Sequence, residues 1–262
     1  MDLEFKNKVA LVAASSKGIG KAVAKGFAKE GADVIICARN SEELEQTREE
    51  IAKFGQKVLA IPTDLTIYSQ VQNLVAKSIE SLGKIDILVS NSGGPPSGKF
   101  LDFNVSDWKH AIDLNLLSAI YLCMEILPHM MEHKYGRVIF LTSISVKQPI
   151  KELILSNVTR AGVAGLSKSL ANEFGKYNIL VNMVCPGYTY TERVAELTKI
   201  LASNKGIRPE DVINEWEMQG TIGRLATPEE IANIVVFLAS EKASYLTGTT
   251  IQADGGYIKG LL

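Results

Sequence analysis

The chain has 262 residues, with 28 Lys and Arg against 29 Asp and Glu, and the resulting formal charge of -1 gives no reason to expect nucleic acid or another polyanion as a partner. That length is routine for one α/β unit, and no Pro/Ser-rich linker or charge block divides it, so a single domain over 1–262 is expected. The opening Met1-Asp-Leu-Glu-Phe-Lys lacks the pattern of a signal peptide, and the apolar runs read as too short or too interrupted to span a bilayer; the expectation is a cytoplasmic protein with no membrane partner.

Val9 to Val12 is an apolar run of the kind a buried strand needs. The small-residue turn Ala13-Ala-Ser-Ser-Lys-Gly-Ile-Gly20 follows, and from Lys21 the apolar spacing is helical. Strand, tight turn and helix together make a dinucleotide cradle: Gly18 and Gly20 let backbone approach a pyrophosphate, and the helix start offers unpaired N–H groups and a positive dipole end. The turn resembles the T-G-x-x-x-G-x-G turn of the short-chain dehydrogenase/reductase family. Ala13 and Ala14 stand where that family has Thr and its first Gly, so the turn must accommodate a methyl group. The resemblance extends over nearly the whole chain and implies a single-domain Rossmann fold, a doubly wound, mostly parallel, seven-stranded sheet flanked by helices. It also implies cofactor contacts from Ala14, Ser16, Lys17, Gly18, Ile19 and Gly20.

Ala32 to Ala38 reads as the second strand and Glu42 to Phe54 as a polar helix. The end of this strand faces the adenosine ribose in a doubly wound fold, and an acid there would repel a 2′-phosphate. The chain offers Arg39 instead, with Lys17 in the glycine turn. Two cations from separate loops match the family's pattern for NADP(H) in preference to NAD(H), since a guanidinium pairs with a phosphate through two parallel bonds. Val58 to Ile61 is the third strand, and the resemblance places Asp64 and Leu65 beside the adenine. After a helix from about Tyr68 to Leu82 comes strand four, Ile85 to Ser90. Its end, Ser90-Asn-Ser-Gly93, resembles the family's N-N-A-G, in which the Asn (here Asn91) steadies the sheet and the Gly (here Gly93) makes room for the cofactor. Gly94-Pro-Pro-Ser-Gly98 is rich in turn formers and reads as a pocket wall or a rigid loop.

Asp107 to Met131 reads as a long helix carrying Asn115, which the resemblance implies bulges the helix and supports a proton path. Strand five, Arg137 to Thr142, delivers Ser143 at its carboxyl end, where open α/β sheets place their chemistry; it aligns with the family's catalytic Ser. The family's Y-x-x-x-K, about 13 residues on, is replaced by Ser156-Asn-Val-Thr-Arg160. A phenol starts near pKa ~10 and is tuned downward by a neighbouring cation, whereas an aliphatic hydroxyl is a far weaker acid, so Ser156 is a poor substitute. Arg160 keeps a charge that can hold ribose hydroxyls but cannot relay a proton as Lys does. Lys147, Lys151, Tyr190 or a water held by Ser156 and Asn115 remain as sources of the proton.

Asn178 to Cys185 is strand six. The resemblance gives Pro186, Gly187, Thr191 and the backbone of Tyr188 to the nicotinamide, and residues 192–222 to a substrate lid whose apolar positions include Leu197, Ile200, Leu201, Val212, Ile213, Trp216 and Met218. Thr227-Pro-Glu-Glu opens the last helix, and Leu246 to Gly256 matches the final strand and turn. Family members of this type assemble as homotetramers, or homodimers, through these ends and the central helices. Cys37, Cys123 and Cys185 read as small buried hydrophobes in a reducing compartment. His129 and His133 have the i, i+4 spacing of a metal pair but read as surface positions, and no metal is expected. Three functions follow: an NADP(H)-dependent oxidoreductase on a small carbonyl/alcohol pair, similar to 3-oxoacyl carrier-protein reductases; an NADP(H)-binding sensor or partner subunit without reduction chemistry; or a non-redox dehydratase or epimerase.

Overall fold

The short apolar runs become strands that pair edge to edge. In the computed structural model, which describes residues 2–261, the strands are β1 (Val9–Val12), β2 (Asp33–Ala38), β3 (Val58–Pro62), β4 (Ile87–Ser90), β5 (Gly136–Leu141), β6 (Ile179–Pro186) and β7 (Thr250–Ala253). They form one seven-stranded sheet in the order β3-β2-β1-β4-β5-β6-β7. All the pairings are parallel, so the sheet is wholly rather than mostly so.

A parallel sheet needs both faces covered, and β1, β4, β5 and β6 are buried at every residue. Leu11, Leu88, Val138, Phe140 and Val181 point into one core, closed by α3 (Tyr68–Leu82), α5 (Ser118–His133) and α6 (Ile154–Phe174). Ala10, Val12, Val89, Ile139 and Val184 point into the other, closed by α1 (Gly18–Lys29), α2 (Ser41–Ala52) and α9 (Pro228–Ala239). The chain winds one way from β1 to β3 and the other way from β4 to β7, which opens a crevice between the carboxyl ends of β1 and β4.

The long central helix differs in detail from the periodicity. It starts at Val105, because Asn104 and Asp107 form a capping box there, and α4 (Val105–Ile112) passes through a π-turn at Asp113–Leu117 before α5. This run of 29 residues, Val105–His133, is long and apolar enough by composition to cross a bilayer, contrary to the reading of the apolar runs as too short. It is a core helix: Ala119, Leu122, Cys123, Ile126, Leu127 and Met130 are buried in the first core.

The stretch assigned to a lid folds as α7 (Glu192–Lys205) and α8 (Pro209–Gln219), joined by a small core of their own from Leu197, Ala202, Val212, Trp216 and Leu225. Ile200 and Met218 are exposed rather than packed there.

Ala14, in the turn after β1, is held at φ +48°, the left-handed region that a Cβ disfavours by about 1–2 kcal/mol. Glycine at this position would remove that strain, against about 0.4–1 kcal/mol of added unfolded-chain entropy. Ala14→Gly is expected to raise the thermal midpoint by about 2 °C, measured by circular dichroism melting; a lower midpoint would show that the turn is not strained.

Candidate active site

A cleft of about 810 Å³ opens over the carboxyl ends of the central strands. Of the residues expected at the site, Ala14, Ser16, Lys17, Gly18, Ile19, Gly20, Arg39, Asp64, Leu65, Asn91, Gly93, Ser143, Arg160, Pro186, Gly187 and Thr191 line it. Tyr188, Ser156 and Asn115 are not on its wall. Tyr188 turns away, its ring stacked on Trp216 with centroids 3.9 Å apart and edge-on to Tyr257. That leaves the Tyr188 backbone, the part expected to meet the nicotinamide, between Gly187 and Thr189, which both line the cleft. Thr63, His110, Arg193 and Glu196 also line the cleft and were not singled out in the sequence, and Ser92, within the Ser90–Gly93 motif, joins them.

The glycine turn is built for close approach. Gly18 sits at φ +57°, and a Cβ at Gly20 would lie 2.4 Å from the Ala14 carbonyl oxygen and 2.9 Å from Asn91 Nδ2. Asn91 Nδ2 in turn donates to the Ala13 and Ala14 carbonyls, each at 3.2 Å, which ties the end of β4 to the turn after β1. No side chain caps α1, and its first backbone bond runs from the Lys21 amide to the Lys17 carbonyl at 3.2 Å. The amides of Gly18, Ile19 and Gly20 are thereby left for an anion, with the positive end of the helix dipole behind them. A dinucleotide pyrophosphate fits this cradle.

Along the cleft toward β2, Arg39 is exposed and no acid ends the strand. Lys17 is also exposed and faces Glu43, with Nζ 3.8 Å from the carboxylate. Asp64 accepts from the Thr66 amide at 2.9 Å and the Thr66 hydroxyl at 2.7 Å. Burial alone would raise its carboxyl; the Thr66 bonds, with Arg39 and His110 nearby, hold it below the usual range.

At the other end lie Ser143 and Arg160. Ser143 Oγ accepts from the Ser145 amide at 3.1 Å, which leaves its own proton to be donated. Arg160, on α6, is 8% exposed; its Nε donates to Ser156 Oγ one turn back at 3.1 Å. Burial pushes the guanidinium down to about 10, with Arg193 adding to the effect. Asn115, within the π-turn, donates to Ser92 Oγ at 2.8 Å and the Gly93 carbonyl at 2.9 Å and accepts from the Thr159 hydroxyl at 3.0 Å. Its side chain therefore braces the end of β4 and has no free donor for a water. The other proposed proton sources are also displaced. Tyr190 is 66% exposed over a separate, shallower groove, Lys151 is exposed, and Lys147 is not on the cleft wall.

The three cysteines are buried and unpaired, and burial pushes the thiols of Cys37 and Cys123 up to about 12. At the opposite end of the sheet, Glu132 joins His129 and His133, and the ligand atoms of the three lie within 4.8 Å of one another. The sequence reading missed Glu132. The Ile85 amide faces His129 Nε2 at 3.4 Å, so that nitrogen is an acceptor already engaged by protein.

A parallel doubly wound sheet with an anion cradle at its switch point belongs to the dinucleotide-binding class of α/β proteins. A family model described as Enoyl-(Acyl carrier protein) reductase matches residues 13–258. The chain is 35% identical to oxidoreductase YvrD of Bacillus subtilis over 100% of both chains. It is 33% identical to 3-oxoacyl-[acyl-carrier-protein] reductase FabG of Aquifex aeolicus, over 98% of this chain and 99% of that one. The crystal structure of L-sorbose reductase from Gluconobacter frateurii, complexed with NADPH and L-sorbose, matches with a TM-score of 0.95 at 35% identity over 100% of both chains. The chain belongs to the short-chain dehydrogenase/reductase family, a family of oxidoreductases.

Gly20→Ala is expected to force α1 away from the Ala14 carbonyl, since the obstructing atom is backbone and cannot rotate aside. Affinity for nicotinamide dinucleotide should fall by about tenfold or more, as loss of 1.4 kcal/mol or more of cradle contact would give, with a lower melting temperature. Titration by the fluorescence of the reduced cofactor reads the first; unchanged affinity would place the pyrophosphate elsewhere.

Proposed function

We propose that this chain is an NADP(H)-dependent oxidoreductase that transfers hydride between nicotinamide and a carbonyl/alcohol substrate, with Ser156 and Arg160 standing where the family carries its Tyr and Lys. The observation that carries the reading is that one cleft runs from Lys17, Gly18 and Arg39 at one end to Ser143 and Arg160 at the other. Two exposed cations, Lys17 and Arg39, and the lack of an acid at the end of β2 favour a 2′-phosphate, and so NADP(H) over NAD(H). The likeness to a reductase solved with NADPH supports the same choice.

Lys17, Gly18, Gly20 and Arg39 would hold the nicotinamide dinucleotide, which when bound would supply the hydride for a carbonyl carbon. Ser143 donates its hydroxyl proton in a hydrogen bond to the carbonyl oxygen, with its own oxygen held by the Ser145 amide. The Arg160 guanidinium, with Nε held on Ser156, keeps a fixed positive charge at this end of the cleft. With Tyr190, Lys147 and Lys151 off the cleft wall and Asn115 engaged, solvent water is the proton source. The alcohol forms from carbonyl, hydride and that proton.

Following NADPH and NADH oxidation against 3-oxoacyl thioesters, diketones, quinones and aldoses tests this reading. Turnover is expected with NADPH, and Ser143→Ala should lower kcat/KM by about 10²-fold. Ser156→Tyr/Arg160→Lys should raise the rate by about 10²-fold or more by restoring a general acid. A second reading rests on Ser156, whose hydroxyl is occupied by Arg160 Nε and is a weak acid: a cofactor-binding protein without reduction. Tight NADPH binding, a silent wild type and an active double variant would establish it.

Assembly as a homotetramer is part of the proposal. Met124 on α5 and Val158 on α6 are 55% and 50% exposed, and Tyr245 beyond α9 is 101% exposed next to Leu246 in the chain. Two separate apolar faces on one chain suit two different two-fold contacts. Light scattering after gel filtration should give about four times the 28.5 kDa chain mass, and Tyr245→Arg should shift it toward the dimer; a monomer mass for the wild type would overturn the assignment.

A further inference from the structure

Arg160 stands out as a buried cation without a counterion. It is 8% exposed and lines the cleft. Its Nε is used on Ser156, and neither terminal nitrogen makes a hydrogen bond to protein among the described residues. Each ion pair among those residues uses another cation. Of the four carboxylates on the wall, Glu43 faces Lys17, Asp64 accepts from Thr66 and Glu196 lies 3.8 Å from Arg193, while Glu192 makes no ion pair; none of the four pairs with Arg160.

The terminal nitrogens open onto the cleft, where they are left to a ligand that supplies acceptors and negative charge. Ribose hydroxyls accept hydrogen bonds but bring no charge. A second cation approaches from the lid side. Arg193, in the first turn of α7, donates through Nη2 to the Pro95 carbonyl at 2.9 Å and reaches the same cleft, which brings the Gly94-Pro95-Pro96 loop and α7 together at its mouth.

We propose that the substrate is an oxo acid whose carboxylate pairs with the terminal nitrogens of Arg160, with Arg193 at the mouth adding to the attraction; this rests on the reductase reading of the cleft. A planar carboxylate matches the guanidinium fork through two parallel bonds. Pairing gives the solitary charge its counterion, so discrimination against a neutral analogue comes from the same residue that binds the acid.

The test uses acetoacetate and methyl acetoacetate as probes, titrated calorimetrically into protein saturated with NADP+, where no reduction competes, and into the protein alone. Acetoacetate should bind and the ester should not, and Arg160→Gln should weaken acetoacetate by about 30-fold or more. Arg160→Lys should retain part of the affinity, because it keeps the charge without the fork, and Arg193→Gln should cause a smaller loss. The wild-type comparison of acid with ester needs no variant, so a poorly folding Arg160→Gln leaves the proposal falsifiable. Equal affinity for the two probes, no binding of either, or an unchanged affinity in Arg160→Gln would overturn it. The outcomes separate from those of the reductase reading: turnover of neutral carbonyls with equal binding of acid and ester sinks only this proposal. Arg160-dependent acid binding with no turnover of any carbonyl sinks only the other.

Discussion

The structure depends on how closely α1 is seated against the ends of β1 and β4. Asn91 Nδ2 holds the carbonyls of Ala13 and Ala14, and Gly20 fits against that same Ala14 carbonyl with no room for a methyl group. This contact sits at the point where the strand order reverses. Two sheet halves, the start of α1 and the floor of the cleft therefore share one set of bonds. If the seat widened, the free amides of α1 would no longer face the space between β1 and β4, and the anion cradle would lose its aim. Ala14, strained at φ +48°, is the cost of bringing a carbonyl there with alanine in the turn.

Much of the fold was legible because parallel strands are short apolar runs, and six of them were separated by helical spacing and small-residue turns, while β7, Thr250-Ile-Gln-Ala, was placed by the resemblance. Thr227-Pro228 marked the start of α9, where Thr227 and Glu230 form the capping box. What the sequence hid was local backbone geometry. The π-turn at Asp113–Leu117 leaves the apolar pattern of the long helix almost unchanged. That Thr189 rather than the Tyr188 ring lines the cleft turns on which of two adjacent side chains faces inward, and the Trp216 stack that draws the Tyr188 ring away is a long-range contact. Glu132 beside His129 and His133 was available from helical spacing alone.

The candidate site divides along the same line. The glycine turn, Asn91 and Ser143 occur in short motifs whose geometry is local, so their positions on the cleft follow from neighbours in sequence. The proton-source candidates did not survive this test, because whether Lys147, Lys151 or Tyr190 reaches the cleft depends on how the segments after β5 and β6 pack. Asn115 shows the same limit: its identity was readable, but its three side-chain bonds to Ser92, Gly93 and Thr159 make it a brace between the π-turn, β4's end and α6.

Replacing a phenol and an ammonium by a hydroxyl and a guanidinium changes the kind of electrostatics a site can offer. A phenol beside an ammonium is a tunable acid; a serine beside an arginine is a fixed cation with a small polar neighbour. A guanidinium remains charged even with burial pushing it down to about 10, so its proton is held while its field acts throughout the reaction. Such a group stabilises an anion present from the start as well as one that develops during hydride transfer. The first kind of stabilisation improves binding and the second improves rate. In the proposed site the two tasks fall to different residues, with Arg160 bearing the substrate's standing charge and Ser143, held by the Ser145 amide, directed at the reacting oxygen. A site divided in this way favours selectivity for charged substrates over fast proton transfer.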